Sequence, residues 1–222
     1  MIKIIIDVFK TVNIFKGLSE TLFMVSVATF FAYLFGLPLG IIIALTEEDG
    51  LIPRPYLNRL LGWFVNMTRS IPYIILLVVL IPFSIHLVGT SVGPKAAIVS
   101  LSIGAIPFVG RLVEASIKEI DKGLIEAATC MGASIWDIIT KVYIVEMIPS
   151  LIRGVSITMI MLVGYSAMAG AVGGGGLGDI AIRYGFYRFD IKVMLVTLGV
   201  LIILVQVIQI IFELLAKKIN KK

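Results

Sequence analysis

Cysteine is nearly absent from this chain, and its scarcity excludes two chemistries. Cys130 stands alone, so neither an intrachain disulfide nor a cysteine metal cluster can form. Histidine is equally rare. His86 has Ser84 two residues away, and residues at i and i+2 of a helix do not face each other. Residues 71–94 contain no Asp or Glu, so no Ser-His-acid triad is visible there and an intramembrane protease is disfavoured. The G-x-x-x-x-G-K-[ST] pattern is missing, so the chain has no P-loop, and any ATP hydrolysis belongs to another protein. Charge is scarce too, at 15% where a soluble domain carries about 25%.

What replaces the missing charge is hydrocarbon. Of the 222 residues 59% are hydrophobic, and mean hydropathy is +1.07. A span needs about 20 apolar residues to cross about 30 Å of bilayer core. Residues 21–46, 71–94, 154–178 and 193–212 are free of charge, and 96–110 form a shorter run ending at Arg111. These runs predict an all-α integral membrane protein with five transmembrane helices, approximately 21–46, 71–90, 95–113, 149–173 and 191–214. Residues 1–18 read as an amphipathic interfacial segment, because Lys3, Asp7, Lys10 and Lys16 interrupt its apolar positions. The same charges break the long apolar region that a signal peptide needs. Residues 19–216 form the membrane domain, with a loop at about 114–147, and 217–222 a basic tail.

Lys and Arg collect on the cytoplasmic side of membrane proteins. Five spans place the segments 46–70, 111–153 and the C-terminus on one side, and these hold twelve of the 19 basic residues. This predicts a cytoplasmic C-terminus and an outer N-terminus. Net charge, +5, marks topology here rather than nucleic-acid binding.

One short non-membrane segment is unlike an ordinary loop. Residues 123–131 read as a compact helix closed by Gly132, and Ser134 with Asp137 approximates a capping box for a second helix. Leu124, Ala128 and Met131 lie at i, i+4 and i+7, on one face. Ala127 and Ala128 let a partner approach closely, and Glu126 is placed in the first turn, where negative charge suits the helix dipole. Two helices meeting at a glycine make a stiff elbow. The alternative is an amphipathic loop helix resting on the membrane surface.

Glu126-Ala127-Ala128, followed after three residues by Gly132, resembles the EAA loop of permease subunits of ATP-binding-cassette importers. The segment 69–76 is similar to the start of the second span in importers of amino acids. Residues 163–178 are similar to permeases of the methionine importer branch. One departure is the absence of a proline near Tyr143-Ile144-Val145; Pro149 follows instead. The resemblance implies a type I importer permease fold with a cytoplasmic coupling helix in the prokaryotic plasma membrane. Leu124, Glu126, Ala127, Ala128, Met131 and Gly132 would couple to an ATPase. It further implies a homodimer, two cytoplasmic ATPase subunits that use ATP and Mg, and an extracytoplasmic binding protein. The chain itself would bind no cofactor or metal, would not be an enzyme, and would form the gated path for D- and L-methionine. Alternatives are a permease for another amino acid or small solute, and a self-gated channel.

Candidates for the path lie in the fourth span: Ser156, Met159, Met161, Tyr165, Ser166 and Met168. Methionine is flexible and polarizable, suited to an adaptable plug but also to ordinary packing. No charged pair lies deep in a span, which suggests a passive gate with selectivity supplied by the binding protein. Gly173, Gly175 and Gly178 match G-x-G-x-x-G without the strand and helix that a dinucleotide site needs, so a flexible outer loop is the better reading.

Overall fold

The computed structural model describes Val8 and residues 12–219. The described residues form nine helices and no strand. They are α1 (Ile14–Leu45), α2 (Pro55–Ser70), α3 (Tyr73–Val79), α4 (Ile81–Val88) and α5 (Pro94–Lys118). Then follow α6 (Lys122–Cys130), α7 (Ile135–Ala171, π-helical over Ile138–Tyr143), α8 (Gly176–Ile180) and α9 (Ile191–Ile219). A second π-helical turn, Ala181–Phe186, follows α8. The interfacial segment expected at 1–18 lies mostly outside the described residues, and so do positions 220–222 of the basic tail.

Four helices, α1, α5, α7 and α9, are long and apolar enough to cross a membrane, and α2 with α3 makes a bent fifth. The span expected at 71–90 is not one helix. Pro72 forces Ile71 into an extended conformation, as a residue before proline prefers, and α2 meets α3 at 101°. A further break at Leu80 separates α3 from α4, which has Pro82 near its start. The fourth span also departs from expectation. It begins at Ile135 rather than 149, and Pro149 lies inside it instead of setting its start. With no proline at 143–145, the chain passes through a wide π-turn and stays helical.

The core is built on the parallel pair α1 and α5. A Cβ placed on Gly40 would lie 2.5 Å from the Gly110 carbonyl oxygen, and one on Gly36 2.7 Å from Val109 Cβ. Small residues four apart therefore let the two backbones touch, the usual route to tight packing where hydrophobicity cannot drive helices together. α7 packs on α1 and α5, and α9 covers α7. The outward face of α9 is apolar, with Leu195, Ile202, Ile203 and Ile210 exposed, as a lipid-facing helix requires.

The glycine-rich segment after α7 is pinned rather than free. The Gly176 amide donates to Glu20 Oε2 at 2.8 Å, the Leu177 amide to Thr21 Oγ1 at 2.9 Å, and the Gly93 amide to the Gly173 carbonyl at 2.8 Å. The loop expected to be flexible instead ties the ends of α1, α5 and α7 together, because small residues let its amides reach side chains on α1.

Candidate functional site: an elbow, a charge cluster and a cavity

The elbow forms from local sequence alone. Asp121 caps α6 by accepting from the Gly123 amide at 2.7 Å. At the other end the Ala133 amide donates to the Ala128 carbonyl and the Gly132 amide to the Thr129 carbonyl, both at 3.0 Å, the paired bonds of a Schellman motif. Gly132 has φ +81°, a left-handed conformation that glycine adopts without strain. Ser134 then opens α7 with a full capping box: its side chain accepts from the Asp137 amide, and the Asp137 carboxylate accepts from the Ser134 amide. Only Ala133 separates the two caps, so the turn has little freedom. α7, at about 1.5 Å per residue, is about 55 Å long and exceeds a bilayer core of about 30 Å. At least one end of α7 therefore lies outside the hydrocarbon.

The helix begins at Lys122 and ends at Cys130, one residue earlier than expected at each end. Glu126 consequently lies beyond the first turn, so the expected dipole contribution there does not apply. The predicted face is also divided. Ala128 is only 8% exposed and packs inward, whereas Leu124 is 42% and Met131 82% exposed. Glu126, Ala127 and Gly132 are exposed as well. Beyond the glycine, Ile135 and Trp136 stand out of the fold, Trp136 at 72%. These two were missed, although an indole between the two residues of a capping box is a readable signal.

A charge cluster holds the elbow to the rest of the chain. Glu114, in α5, is 6% exposed. Arg111 Nη1 contacts its Oε2 at 2.5 Å, and Lys118 Nζ its Oε1 at 3.0 Å. Lys118 also reaches Glu47 Oε1 at 2.6 Å, in the turn after α1. Arg111 Nη2 donates to Asn66 Oδ1 at 3.1 Å and to the Gly62 carbonyl at 3.3 Å, which fixes α2. Lys122, the first residue of α6, pairs with Asp49 at 2.7 Å. Thus α1, α2, α5 and α6 meet at one charged knot, and Ser116 joins Ser150 to bring in α7. Sequence pattern could not find this knot, because the ties that join its elements span 34 to 73 residues of chain.

The candidate path residues do not share one surface. Met161 and Tyr165 line a cavity of about 180 Å³, together with Thr68 and Arg69 of α2, Tyr73 and Leu76 of α3, and Gly104 and Phe108 of α5. Tyr165 stacks on Tyr73, with ring centroids 4.4 Å apart and planes within 6°, and the Tyr73 hydroxyl lies 3.1 Å from Ser100 Oγ. Met159 faces a different groove, between α1 and α9. Ser156 and Ser166 are buried, the latter bonded to the Val163 carbonyl, and Met168 is exposed. Ser84 points to the Ala96 carbonyl while His86 is exposed, so the two are not paired.

A chain of this architecture, with bent and broken spans and an exposed stiff elbow, invites comparison with known transport proteins. The family model for the binding-protein-dependent transport system inner membrane component matches residues 36–221. The chain belongs to that family. It is therefore a multi-pass membrane component of a transport system rather than a catalyst. Among related permeases, the probable D-methionine transport system permease protein MetI of Vibrio cholerae is 50% identical over 203 residues, 91% of this chain and 90% of the relative. The methionine import system permease protein MetP of Bacillus subtilis is 44% identical over 178 residues, 80% of each chain. A solved structure of the MetNI methionine ABC transporter in an inward-facing conformation contains a chain that superposes with a TM-score of 0.92 at 45% identity. That match covers 94% of this chain and 96% of that one. The fold is therefore that of a type I importer permease.

Proposed function

We propose that this chain is the permease subunit of an ATP-binding-cassette importer for methionine. Two copies form the gated path, two cytoplasmic ATPase subunits drive it, and an extracytoplasmic binding protein delivers substrate. The elbow and the C-terminus face the cytoplasm, and the N-terminus faces out. ATP and Mg act on the ATPase subunits, and this chain contributes no cofactor site.

The observation that carries this reading is the elbow. Two capped helices meet with one residue between their caps, and they hold Leu124, Met131 and Trp136 away from their own protein. Exposed large side chains on a rigid, non-membrane support fit a docking surface, since anchors held in place lose little entropy on binding. Glu126 is exposed beside them, and its carboxylate makes no hydrogen bond or ion pair among the described residues. The charged knot would pass movement of α6 into α1, α2 and α5. Alternation between inward-open and outward-open states then follows as a population shift driven by closure of the ATPase pair. The names of the relatives supply the substrate.

Uptake of labelled D- and L-methionine by cells with and without the chain tests the assignment. Loss of methionine uptake on deletion is expected. Unchanged uptake of both isomers, with loss of another amino acid, would move the substrate and leave the transport mechanism in place.

A further inference from the structure

Arg69 lies in the last turn of α2, on the wall of the cavity that Met161 and Tyr165 line. Its guanidinium has no hydrogen bond and no ion pair among the described residues. The other arginine on that side of α5, Arg111, is fully engaged with Glu114, Asn66 and Gly62. An unpaired guanidinium presents a fork of donors matched to a carboxylate.

The rest of the wall suits the remainder of an amino acid. The last carbonyls of a helix lack partners within it and carry partial negative charge, so the end of α2 is a place for an ammonium. Leu76, Phe108, Met161 and Tyr165 supply an apolar and polarizable wall. About 180 Å³ is room for about six waters at about 30 Å³ each. That is the scale of one small amphiphile rather than a peptide or sugar chain. The bend at Ile71-Pro72 creates the arrangement, because it brings Arg69 on α2 and Tyr73 on α3 to one cavity.

We propose that the cavity at the α2–α3 bend is a binding station for a small α-amino acid in transit, with Arg69 anchoring its carboxylate. The proposal rests on the reading of the chain as an amino-acid permease. It replaces the expectation of a wholly passive gate, since the permease itself would recognise part of the substrate.

The test is equilibrium binding of radiolabelled L-methionine to the purified importer complex in nanodiscs, with the binding protein left out. Saturable binding is expected, and L-methioninamide, which lacks the carboxylate, should compete about tenfold to a hundredfold more weakly, as loss of a charge-assisted hydrogen bond implies. Arg69→Gln should weaken methionine binding by a similar factor, and Arg69→Lys by less. Equal competition by the amide, or unchanged binding in Arg69→Gln, would overturn the station. If Arg69→Gln fails to assemble, the competition on the wild-type complex decides alone. If L-methionine does not bind but L-leucine or L-histidine binds in an Arg69-dependent way, the methionine assignment fails and the station stands. If none of the three binds, the station fails, whatever the uptake assay shows.

Discussion

Lys122 Nζ sits 2.7 Å from Asp49 Oδ2, joining the first residue of the elbow helix to the turn after α1 across 73 residues of chain. Both side chains are exposed, so the tie is weak and screened by salt. The hydrogen bond from Lys122 holds Asp49 below the usual carboxylate range, and the same bond raises Lys122. The Asp49 contribution is present above the unfolded value of about 3.9 and fades as pH falls through its lower folded value. The Lys122 contribution is present below about 10.4 and fades as pH rises through its higher folded value. The tie should therefore be insensitive to pH between about 4 and about 10. Asp49→Asn should reduce coupled ATPase activity slightly, and about 0.5 M salt should reproduce the loss in the wild type. A steep change between pH 6 and 8 that disappears in Asp49→Asn would contradict this.

Glu114 is the buried member of the knot, and removing a neutralising partner strands its charge. Arg111→Met should destabilise the protein by about 3 kcal/mol, the low end for breaking a buried pair, because Lys118 remains. Arg111→Met combined with Glu114→Leu should recover much of that loss. Thermal melts in detergent give both values, and a double variant no more stable than the single would argue against stranded charge as the cause.

Gly132→Leu should insert into the membrane normally and abolish transport. No atom lies within 4 Å of a Cβ at this position, so the substitution meets no clash. The left-handed φ alone disfavours it, by about 1–2 kcal/mol. That is enough to turn the elbow and too little to unfold the chain. Normal uptake in a correctly inserted variant would remove the elbow angle from the mechanism.

Trp136→Ala should weaken assembly with the ATPase by about 2 kcal/mol, as for a truncated aromatic anchor. Glu126→Lys should reduce ATPase stimulation by reversing the charge on the same surface. Titration of purified ATPase subunit against permease variants in detergent measures both. Wild-type affinity in the Trp136 variant would confine docking to α6.

Much of the architecture is legible because membranes impose a simple rule on sequence. Uncharged runs mark four spans to within a few residues at their better ends, and Gly132, Ser134 and Asp137 mark the two caps in the sequence itself. What stayed hidden has physical causes. Hydropathy does not register a bend, so 71–90 read as one span although Pro72 and Leu80 break it. Periodicity gives a face but not which side is covered, so Ala128 was grouped with Leu124 and Met131. The glycine run looked loose because its restraints, Glu20 and Thr21, lie 156 residues away. Arg69 was not singled out because charge patterning assigns sides and does not reveal the cavity that a bent helix makes.

On the proposed reading the elbow is the inner-side contact with the motor, and the chain supplies its own probe. Cys130 is the single cysteine of the sequence, and it is exposed on α6. In the assembled importer, a short bifunctional maleimide should crosslink Cys130 to a cysteine placed in the ATPase surface groove, and a membrane-impermeant maleimide should label it in inverted vesicles but not in intact cells. Labelling from outside intact cells, or no crosslink to the ATPase under any nucleotide condition, would contradict the account.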